Sequence, residues 1–286
     1  MDLNKDTKIL IIGLGVIGGG YAEALTKAGY SVGCITKDAS DISYALEKGI
    51  IKYGVTEPTP SLIAEQDLII FALYPSVFVD WIKANGYMIK KGTLVTDVTG
   101  VKTSVVATVQ ESLPDGVEFI SAHPMAGRER RGVTYADSSV FRGANYIITP
   151  TEKNTEEAIS LCRALGEALG FEKISILTPK EHDAMIAYTS QLCHVVSNAF
   201  IKNSTAKRHF GYSAGSYKDM TRVARLNPVM WTELMNANRD KLTVELDELI
   251  TNLQKYNDAL KSGDKDMLKA LLEEGNQTKL SIDKKE

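Results

Sequence analysis

The chain has 286 residues, of which 44% are hydrophobic and 24% are charged. This is enough apolar material for a large buried core, and a chain of this length usually forms two domains. The 33 lysine and arginine residues nearly balance the 36 acidic residues, giving a net charge of -3. The balance argues against a nucleic-acid or membrane-surface partner, so any anion-binding site has to be built locally.

Cysteine usage and the N-terminal segment indicate the compartment. The three cysteines, Cys34, Cys162 and Cys193, are widely spaced and set among apolar residues, which is typical of reduced thiols and not of a disulfide framework or a metal site. The apolar run 9–20 is preceded by acidic residues and interrupted by glycines, and no stretch reaches the ~18 apolar residues of a membrane span. We therefore predict a cytoplasmic protein without a membrane segment or a bound metal.

Short β-branched runs alternate with helix-like segments up to about residue 178. The candidate strands are residues 8–12, 31–35, 68–72, 93–97, 117–122, 145–149 and 173–177. This alternation is typical of parallel βαβ units, and several runs are apolar throughout, as required when helices cover both faces of a sheet. We predict an α/β, Rossmann-like domain over residues 1–178.

The pattern becomes helical after residue 178. Thr178, Pro179 and Glu181 form the sequence of a capping box with proline at the first helical position, which predicts a helix start. Helices are predicted at 180–203, 216–225, 229–261 and 265–280. The third carries an apolar stripe at spacings of three and four: Leu242, Leu246, Leu249, Leu253, Tyr256 and Leu260. Such a stripe is usually core, but it can also be buried against a second copy, so we predict an all-helical dimerisation domain over residues 179–286 and a homodimer.

A glycine-rich turn follows the first predicted strand. Gly13, Gly15 and Gly18 stand in a GxGxxG pattern directly before a helix-like run, where Val16 and Ile17 would contribute amide groups. The first glycine permits a tight turn, the second lets the backbone approach a pyrophosphate, and the third allows close helix packing. Because the pattern lies at the first βα turn of an alternating domain, it predicts dinucleotide binding; a purely structural turn is the alternative.

The end of the second predicted strand bears on the choice of nicotinamide cofactor. An NAD site normally has an acidic residue there, which binds the ribose 2′-hydroxyl. This chain has Thr36 and Lys37, with no acidic residue until Asp38. Thr36 and Lys37 could hold a 2′-phosphate, so we predict NADP, with NAD as the alternative.

One histidine stands at the end of an apolar run. Residues 117–122 read as a strand that delivers His123 to a loop bounded by Pro124 and Gly127. Imidazole titrates near neutral pH and can take a proton from a substrate hydroxyl as a hydride leaves. The alternative is a loop histidine whose ring is satisfied by neighbours.

Together with the glycine turn, four further segments closely resemble the prephenate/arogenate dehydrogenase family of tyrosine biosynthesis. They are residues 97–102, the loop 123–129, residues 190–194, and residues 215–222 followed by Trp231. The resemblance spans nearly the whole chain and includes Glu181-His182-Asp183 at the predicted domain junction. It implies a Rossmann domain followed by a helical dimerisation domain, with a small-molecule substrate.

The resemblance also implies roles for individual residues. His123 would be the catalytic base that binds the ring hydroxyl of the substrate. Arg222 would bind a substrate carboxylate, for which a guanidinium is well suited, and Asp219, three residues earlier, would orient it. His194 would be a second active-site histidine, and Glu129 an acidic residue at the entrance. Structural alternatives stay open: Asp219 and Arg222 could be a solvated helix pair, and His194 could be a core histidine.

Departures from the family pattern concern the substrate and the cofactor. Many relatives have serine at the position of Gly100, where the hydroxyl orients the catalytic histidine and the nicotinamide; here only Thr99 is close enough to substitute. Arg128 and Gln191 also depart from the family residues. An added cation at Arg128 should disfavour the ammonium of arogenate, so we predict prephenate, with arogenate as the alternative.

Two further residues and two rival functions complete the interpretation. His182 is expected to buttress the domain junction, and Trp231 to pack in the core. A hydroxyacid dehydrogenase would normally have a lysine base in the region 191–198, where none stands. A nucleotide-sensing regulator that binds NADP without turnover would not need His123 or Arg222.

Overall fold

A six-stranded parallel sheet is built by the first part of the chain in the computed structural model, which describes residues 3–127 and 130–284. The strands run in the order β3-β2-β1-β4-β5-β6. Their bounds are β1 Ile9–Ile12, β2 Val32–Ile35, β3 Tyr53–Val55, β4 Leu68–Phe71, β5 Leu94–Asp97 and β6 Glu118–Phe119. The strand order reverses between β1 and β4, which is the switch point where such sheets bind ligands at their carboxyl edge.

Helices cover both faces of this sheet. Those preceding residue 178 are α1 Val16–Lys27, α2 Ala39–Glu47, α3 Pro60–Ala64, α4 Pro75–Asn85, α5 Thr103–Ser112 and α6 Glu156–Leu169. Alternate residues of β1 enter different cores, because Ile9 and Ile11 pack in one buried cluster while Leu10 and Ile12 pack in the other. This two-sided burial explains why the central strands are apolar throughout.

The predicted strand 117–122 is divided between two sheets. Its first part is β6, whereas Ser121–Pro124 forms β7 in a second, three-stranded sheet with β8 Asn145–Thr149 and β9 Lys173–Ile176. β7 is antiparallel to β8, and β8 is parallel to β9. His123 therefore lies within β7, opposite Ile147, and not in a loop after the strand as predicted. The short edge strand β3 was not predicted.

The helical part begins as the capping box predicts. Helix α7 spans Pro179–Ile186, with the Thr178 side chain and the Glu181 carboxylate capping each other's backbone amides. The predicted helix 180–203 is not uniform: a π-helical segment, Ala187–Leu192, separates α7 from α8, Cys193–Phe200. π-helical turns are rare and are often found at functional sites.

Two other predicted helices have different bounds. Helix α9 is Gly215–Thr221, shorter than the predicted 216–225. The predicted helix 229–261 is broken at Asn238 into α10, Pro228–Ala237, and α11, Arg239–Ser262. The side-chain amide of Asn238 donates to the Asp183 carbonyl and to Gln191 Oε1, so this residue is held by tertiary contacts instead of continuing the helix.

The chain divides into two compact units, Met1–Asn238 and Arg239–Glu286. The second is a helical hairpin of α11 and α12, Lys265–Asp283, in which Tyr256 donates a hydrogen bond to the Leu271 carbonyl (3.1 Å). Apolar side chains of the hairpin remain exposed, among them Val244, Ile250, Leu253, Leu260, Leu272 and Leu280. Within residues 3–127 and 130–284, no helix combines the length and apolar character needed to cross a membrane.

Candidate active site

The glycine turn between β1 and α1 is shaped to admit a phosphate group. Gly13 has φ +97°, and a Cβ there would lie 2.5 Å from the Ala72 carbonyl oxygen at the end of β4. A Cβ on Gly18 would lie 2.0 Å from the Gly13 carbonyl oxygen. The turn and helix α1 can therefore pack this closely only because both positions are glycine.

The space in front of Gly15 is open. A Cβ on Gly15 would meet no atom within 4 Å, and Gly15 caps α1 without a side-chain hydrogen bond. The first amides of α1, including those of Val16 and Ile17, therefore point from a helix N-terminus without a side-chain acceptor. A helix N-terminus of this kind, beside an open approach, fits the pyrophosphate of a dinucleotide.

The residues predicted to bind the ribose follow β2. Thr36 donates its backbone amide to the Val55 carbonyl (3.2 Å), and Lys37 is exposed. The carboxylate of Asp38 is the N-cap of α2, where it accepts from the Ser40 amide (3.0 Å) and hydroxyl (2.7 Å). These hydrogen bonds lower the pKa of Asp38. The nearest acidic side chain is therefore engaged in capping a helix.

His123 lies in β7, just beyond the carboxyl edge of the parallel sheet. Its Nδ1 is 2.9 Å from Nε2 of His182 in α7, and the ring centroids are 5.1 Å apart at 64°. The burial of its ring, together with the proximity of His182 and of the Lys102 ammonium, holds the pKa of His123 well below its usual value, although Asp183 acts in the opposite direction. The imidazole is thus in its neutral form at neutral pH, as a base must be.

A second hydrogen bond continues from His182. Its Nδ1 donates to Asp183 Oδ1 (2.8 Å), and both side chains are buried. The Asp183 carboxylate also accepts from the backbone amides of Lys102 and Thr103, at 2.8 Å each, and so caps the N-terminus of α5. Burial alone would raise the pKa of Asp183, but these hydrogen bonds lower it to about 2.

A buried ion pair lies beside the histidine pair. Lys102 Nζ is 3.1 Å from Asp97 Oδ2, and both side chains are fully buried. Lys102 also donates to the Ala122 carbonyl (2.6 Å), next to His123. Asp97 in turn accepts from the Thr99 hydroxyl, the Ser121 hydroxyl and the Ala122 amide. The hydroxyl of Thr99, a residue predicted to contact the cofactor, is hydrogen-bonded to Asp97.

Gly100 lies beside Nε2 of the His123 ring, and Leu234 of helix α10 lies beside Gly100. A Cβ on Gly100 would lie 3.8 Å from His123 Nε2 and 3.7 Å from the methyl groups of Leu234. The π-helical segment holds α10 here, because the Gln191 amide donates to the Leu234 carbonyl (3.1 Å). A serine side chain at position 100 would therefore face Nε2, as the resemblance implied.

Helix α10 also contacts the edge of the sheet that carries the glycine turn. Glu233 accepts from the Ser76 amide (2.6 Å) at the start of α4, and the Asn227 amide donates to the Tyr74 hydroxyl (3.0 Å). Both Tyr74 and Ser76 follow β4, whose end contacts Gly13. One helix therefore touches the surroundings of both the glycine turn and His123.

His194 contacts α10 through Trp231, which lies one helical turn before Leu234. Its ring centroid is 3.9 Å from that of Trp231, and its Nδ1 donates to the Val223 carbonyl (3.1 Å). Trp231 is buried, as predicted, but its indole N–H has no hydrogen-bond partner within residues 3–127 and 130–284. Val223 is adjacent to Arg222, so His194, Trp231 and the predicted arginine segment are brought together.

Side chains of α8 hold the backbone around Arg222. In addition to the His194 contact, the Ser197 hydroxyl donates to the Met220 carbonyl (2.7 Å) and the Asn198 amide donates to the Ala224 carbonyl (2.9 Å). These bonds satisfy carbonyl groups that the end of α9 leaves unpaired. Arg222 and Asp219 are both exposed and form no ion pair with each other, so the orienting role of Asp219 stays a prediction.

Two predicted site residues cannot be located, and three residues near His123 were not predicted to take part. Arg128 and Glu129 lie outside the described residues. No individual role was predicted for Asp97 or Lys102, and His182 was predicted only to buttress the domain junction. The available signals were an acidic residue that ends an apolar strand and a histidine–aspartate pair one turn after a capping box. In the described part of the chain, no three metal-ligating side chains cluster to hold an ion.

The cysteines offer no competing nucleophile at this site. Cys34 and Cys162 are buried, and burial raises the pKa of Cys34 to about 12 and that of Cys162 to about 11. Cys193 is exposed, and its thiol donates to backbone carbonyls of the π-helical segment. The groups arranged for chemistry are therefore the imidazole and its polar neighbours, beside a dinucleotide-binding turn.

Comparisons with known proteins agree with this arrangement. The family model for the nucleotide-binding domain of prephenate dehydrogenase matches residues 21–175, and the model for its dimerization domain matches residues 178–274. Cyclohexadienyl dehydrogenase of Zymomonas mobilis is 30% identical over 96% of this chain and 95% of its own length. Prephenate dehydrogenase of Bacillus subtilis is 31% identical over 89% of this chain and 70% of its own.

A solved structure extends the comparison. Prephenate dehydrogenase from Aquifex aeolicus, in complex with hydroxyphenyl propionate and NAD+, has a TM-score of 0.85 and 26% identity, covering 96% of this chain and 98% of that one. Sheet order, glycine turn and these matches define a dehydrogenase that uses a nicotinamide cofactor. The chain belongs to the prephenate dehydrogenase family, which confirms the resemblance and the predicted fold class.

Proposed function

We propose that this chain is a prephenate dehydrogenase, which converts prephenate to 4-hydroxyphenylpyruvate by oxidative decarboxylation. Family membership supports the reaction class. The observation that carries the proposal is the placement of His123, whose Nε2 lies beside Gly100 while its Nδ1 is engaged by His182. A histidine held in this way has one ring nitrogen for a substrate.

His123 acts as the general base in this proposal. Its neutral Nε2 accepts the proton of the ring hydroxyl, and the lowered pKa of the ring keeps it neutral in the free enzyme. A bound nicotinamide would accept the hydride from the carbon that carries this hydroxyl, and loss of the ring carboxylate as CO2 leaves an aromatic product. Aromatisation drives the reaction, so the main task of the chain is to position base, substrate and cofactor.

The residues around Arg222 are proposed to bind the substrate's anionic groups. Arg222 is proposed to bind a carboxylate, and the α8 side chains that hold its backbone support this assignment. His194 and Asp219 are proposed to contribute to the same pocket, and Arg128 and Glu129 are proposed to take part in substrate binding. Arg128 would disfavour the ammonium of arogenate, which is why prephenate is the proposed substrate and arogenate the alternative.

NADP is the proposed cofactor, with NAD as the alternative. Gly13, Gly15 and Gly18, with the amides of Val16 and Ile17, would hold the pyrophosphate. Thr36 and Lys37 would contact the 2′-phosphate, and Thr99 and Gly100 would lie beside the nicotinamide. The capping role of Asp38 supports NADP, because the nearest carboxylate is hydrogen-bonded to Ser40.

A homodimer is proposed as the working assembly. The match to a dimerization domain and the exposed apolar side chains of the α11–α12 hairpin support it. The functional boundary is proposed at residues 178 and 179, where the capping box begins α7. We further propose that the protein acts in the cytoplasm.

One set of assays tests the proposal. Reduced-cofactor formation is measured with prephenate and with arogenate, each combined with NAD and with NADP. The expected result is turnover with prephenate and a higher kcat/KM with NADP. Comparable turnover of arogenate would overturn the substrate assignment, and a preference for NAD would overturn the cofactor assignment. Cofactor binding without turnover of either substrate would support the rival function of a nucleotide-sensing regulator.

A further inference from the structure

His182 lies between His123 and an aspartate that anchors another helix. Its ring is fully buried, with Nε2 2.9 Å from His123 Nδ1 and Nδ1 2.8 Å from Asp183 Oδ1. Asp183 is fixed from its other side by the first amides of α5. The three side chains therefore form a line from a helix N-terminus to the proposed base.

The direction of each hydrogen bond follows from the aspartate. The Asp183 carboxylate accepts from two backbone amides and, with a pKa of about 2, carries no proton to donate. His182 Nδ1 must therefore carry the hydrogen in that contact. Because burial lowers the pKa of His182, its ring stays neutral and Nε2 has only a lone pair. His123 Nδ1 is left as the donor to that lone pair.

We propose that His182 and Asp183 are positioning residues that hold His123 in the tautomer with hydrogen on Nδ1 and a lone pair on Nε2. The ring nitrogen that carries the hydrogen is set by the partner of the other nitrogen. With the opposite tautomer, Nε2 would present a hydrogen to the substrate hydroxyl and could not accept its proton. The aspartate, through the intervening ring, thus selects the reactive form of the base.

This inference rests on the proposed role of His123 and adds a role for its partners during turnover. When Nε2 takes the proton of the substrate hydroxyl, the ring becomes an imidazolium and keeps its Nδ1–H bond to His182. The negative charge of Asp183 then lies one ring away and stabilises the positive charge. No proton leaves His123 toward His182 in this step.

The first experiment reads the tautomer directly and does not depend on activity. The full chain is labelled with 15N-histidine, and long-range 1H–15N spectra are recorded at neutral pH. The four histidines keep the spectrum simple, and the signals lost in His123→Asn identify the His123 ring. His209→Gln is the control, because that ring bonds the Ala206 carbonyl outside the network. The expected result is a His123 ring protonated at Nδ1 and bare at Nε2. A His123 ring that carries its hydrogen on Nε2 would overturn the proposal.

The second experiment compares two substitutions of His182. Glutamine can place its side-chain oxygen near the position of Nε2 and accept from His123, whereas leucine cannot. His182→Leu is expected to lower kcat roughly 10²-fold, at the lower end of the loss for a general base, with KM nearly unchanged. His182→Gln is expected to recover most of kcat and the Nδ1–H signal, and His209→Gln to retain normal kcat.

The outcomes separate this inference from the proposed function. If His123→Asn abolishes turnover but His182→Leu has near-normal kcat, the positioning role of His182 is wrong. The assignment of His123 as the general base is then retained. If His123→Asn is itself active, the base assignment fails, while the wild-type spectrum still decides the tautomer. If His182→Leu does not fold, the glutamine variant decides: a bare Nε2 and high kcat support the role, and a protonated Nε2 with high kcat overturns it.

Discussion

The surroundings of His123 and of Arg222 are built differently. Around His123, four polar side chains are buried and joined as two pairs, Asp97 with Lys102 and His182 with Asp183. Arg222 is exposed and forms no ion pair within the described part of the chain, although its backbone is held by α8. The base is therefore positioned by the fold itself, whereas the proposed carboxylate ligand is left for the substrate to engage.

The largest expected effect comes from removing the base. His123→Asn should lower kcat by roughly 10²- to 10⁴-fold, as is usual when a general base is lost. Binding of the cofactor should be unchanged, because the glycine turn does not involve this side chain; fluorescence titration with NADPH measures it. A variant with near-normal kcat would contradict the proposed chemistry.

The next prediction breaks the buried network without touching the base. Lys102→Met leaves Asp97 buried without its counter-ion, which should lower the free energy of unfolding by roughly 3–5 kcal/mol. Lys90→Met is the matched control, because Lys90 pairs with Asp67 at the surface, with side chains 39% and 32% exposed. The control should lose less than about 1 kcal/mol.

Urea denaturation of both lysine variants measures the difference. Equal, small losses in the two variants would show that the ion pair at position 102 does not stabilise the site. Binding of NADPH by the surviving folded fraction reports whether the damage extends to the glycine turn. Each substitution removes one lysine from one aspartate, and Lys102→Met also removes the hydrogen bond to the Ala122 carbonyl.

Some features around His123 could be predicted from the sequence, and others could not. The glycine turn, the central strands and the start of α7 follow from local patterns, because apolar runs, glycines and capping residues act on their own neighbourhood. The contact between His123 and His182 joins residues 59 positions apart, and no local pattern encodes it. The transfer of β7 to a second sheet was missed because the apolar run 117–122 looks the same in either sheet.

The predicted bounds of the helix that contains Asn238 were wrong for a related reason. The segment 229–261 contains no proline or glycine to end a helix, so the sequence predicted one helix over this range. The break comes from hydrogen bonds of the Asn238 amide to Asp183 and Gln191, which lie far away in the sequence. The exposed position of Arg222 could not be read from its helical spacing to Asp219 either, because spacing fixes a face but not its surroundings.

A third prediction concerns the exposed end of the site. Arg222→Gln removes a charge-assisted hydrogen bond to a substrate carboxylate, which is worth roughly 1.5–3 kcal/mol, so KM should rise by about 10- to 100-fold. Stability should change little because Arg222 forms no ion pair in the described part of the chain. Arg225→Gln, also exposed and three residues further on, is the control. Steady-state kinetics with prephenate separates the two effects: a loss confined to kcat would assign Arg222 to the chemical step.

The smallest expected effect is a displacement of the pH profile. Only neutral His123 can accept a proton, and its pKa is held well below the usual value of 6.5 by burial, by His182 and by Lys102, against an opposing effect of Asp183. The acidic limb of kcat/KM should therefore fall below pH 6.5, with activity retained as the pH drops through that value and lost further down. Asp183→Asn removes the opposing charge and should move the limb further toward acid. A wild-type limb above pH 6.5 would mean that the environment of His123 favours the imidazolium, which is the reverse of what its buried partners imply.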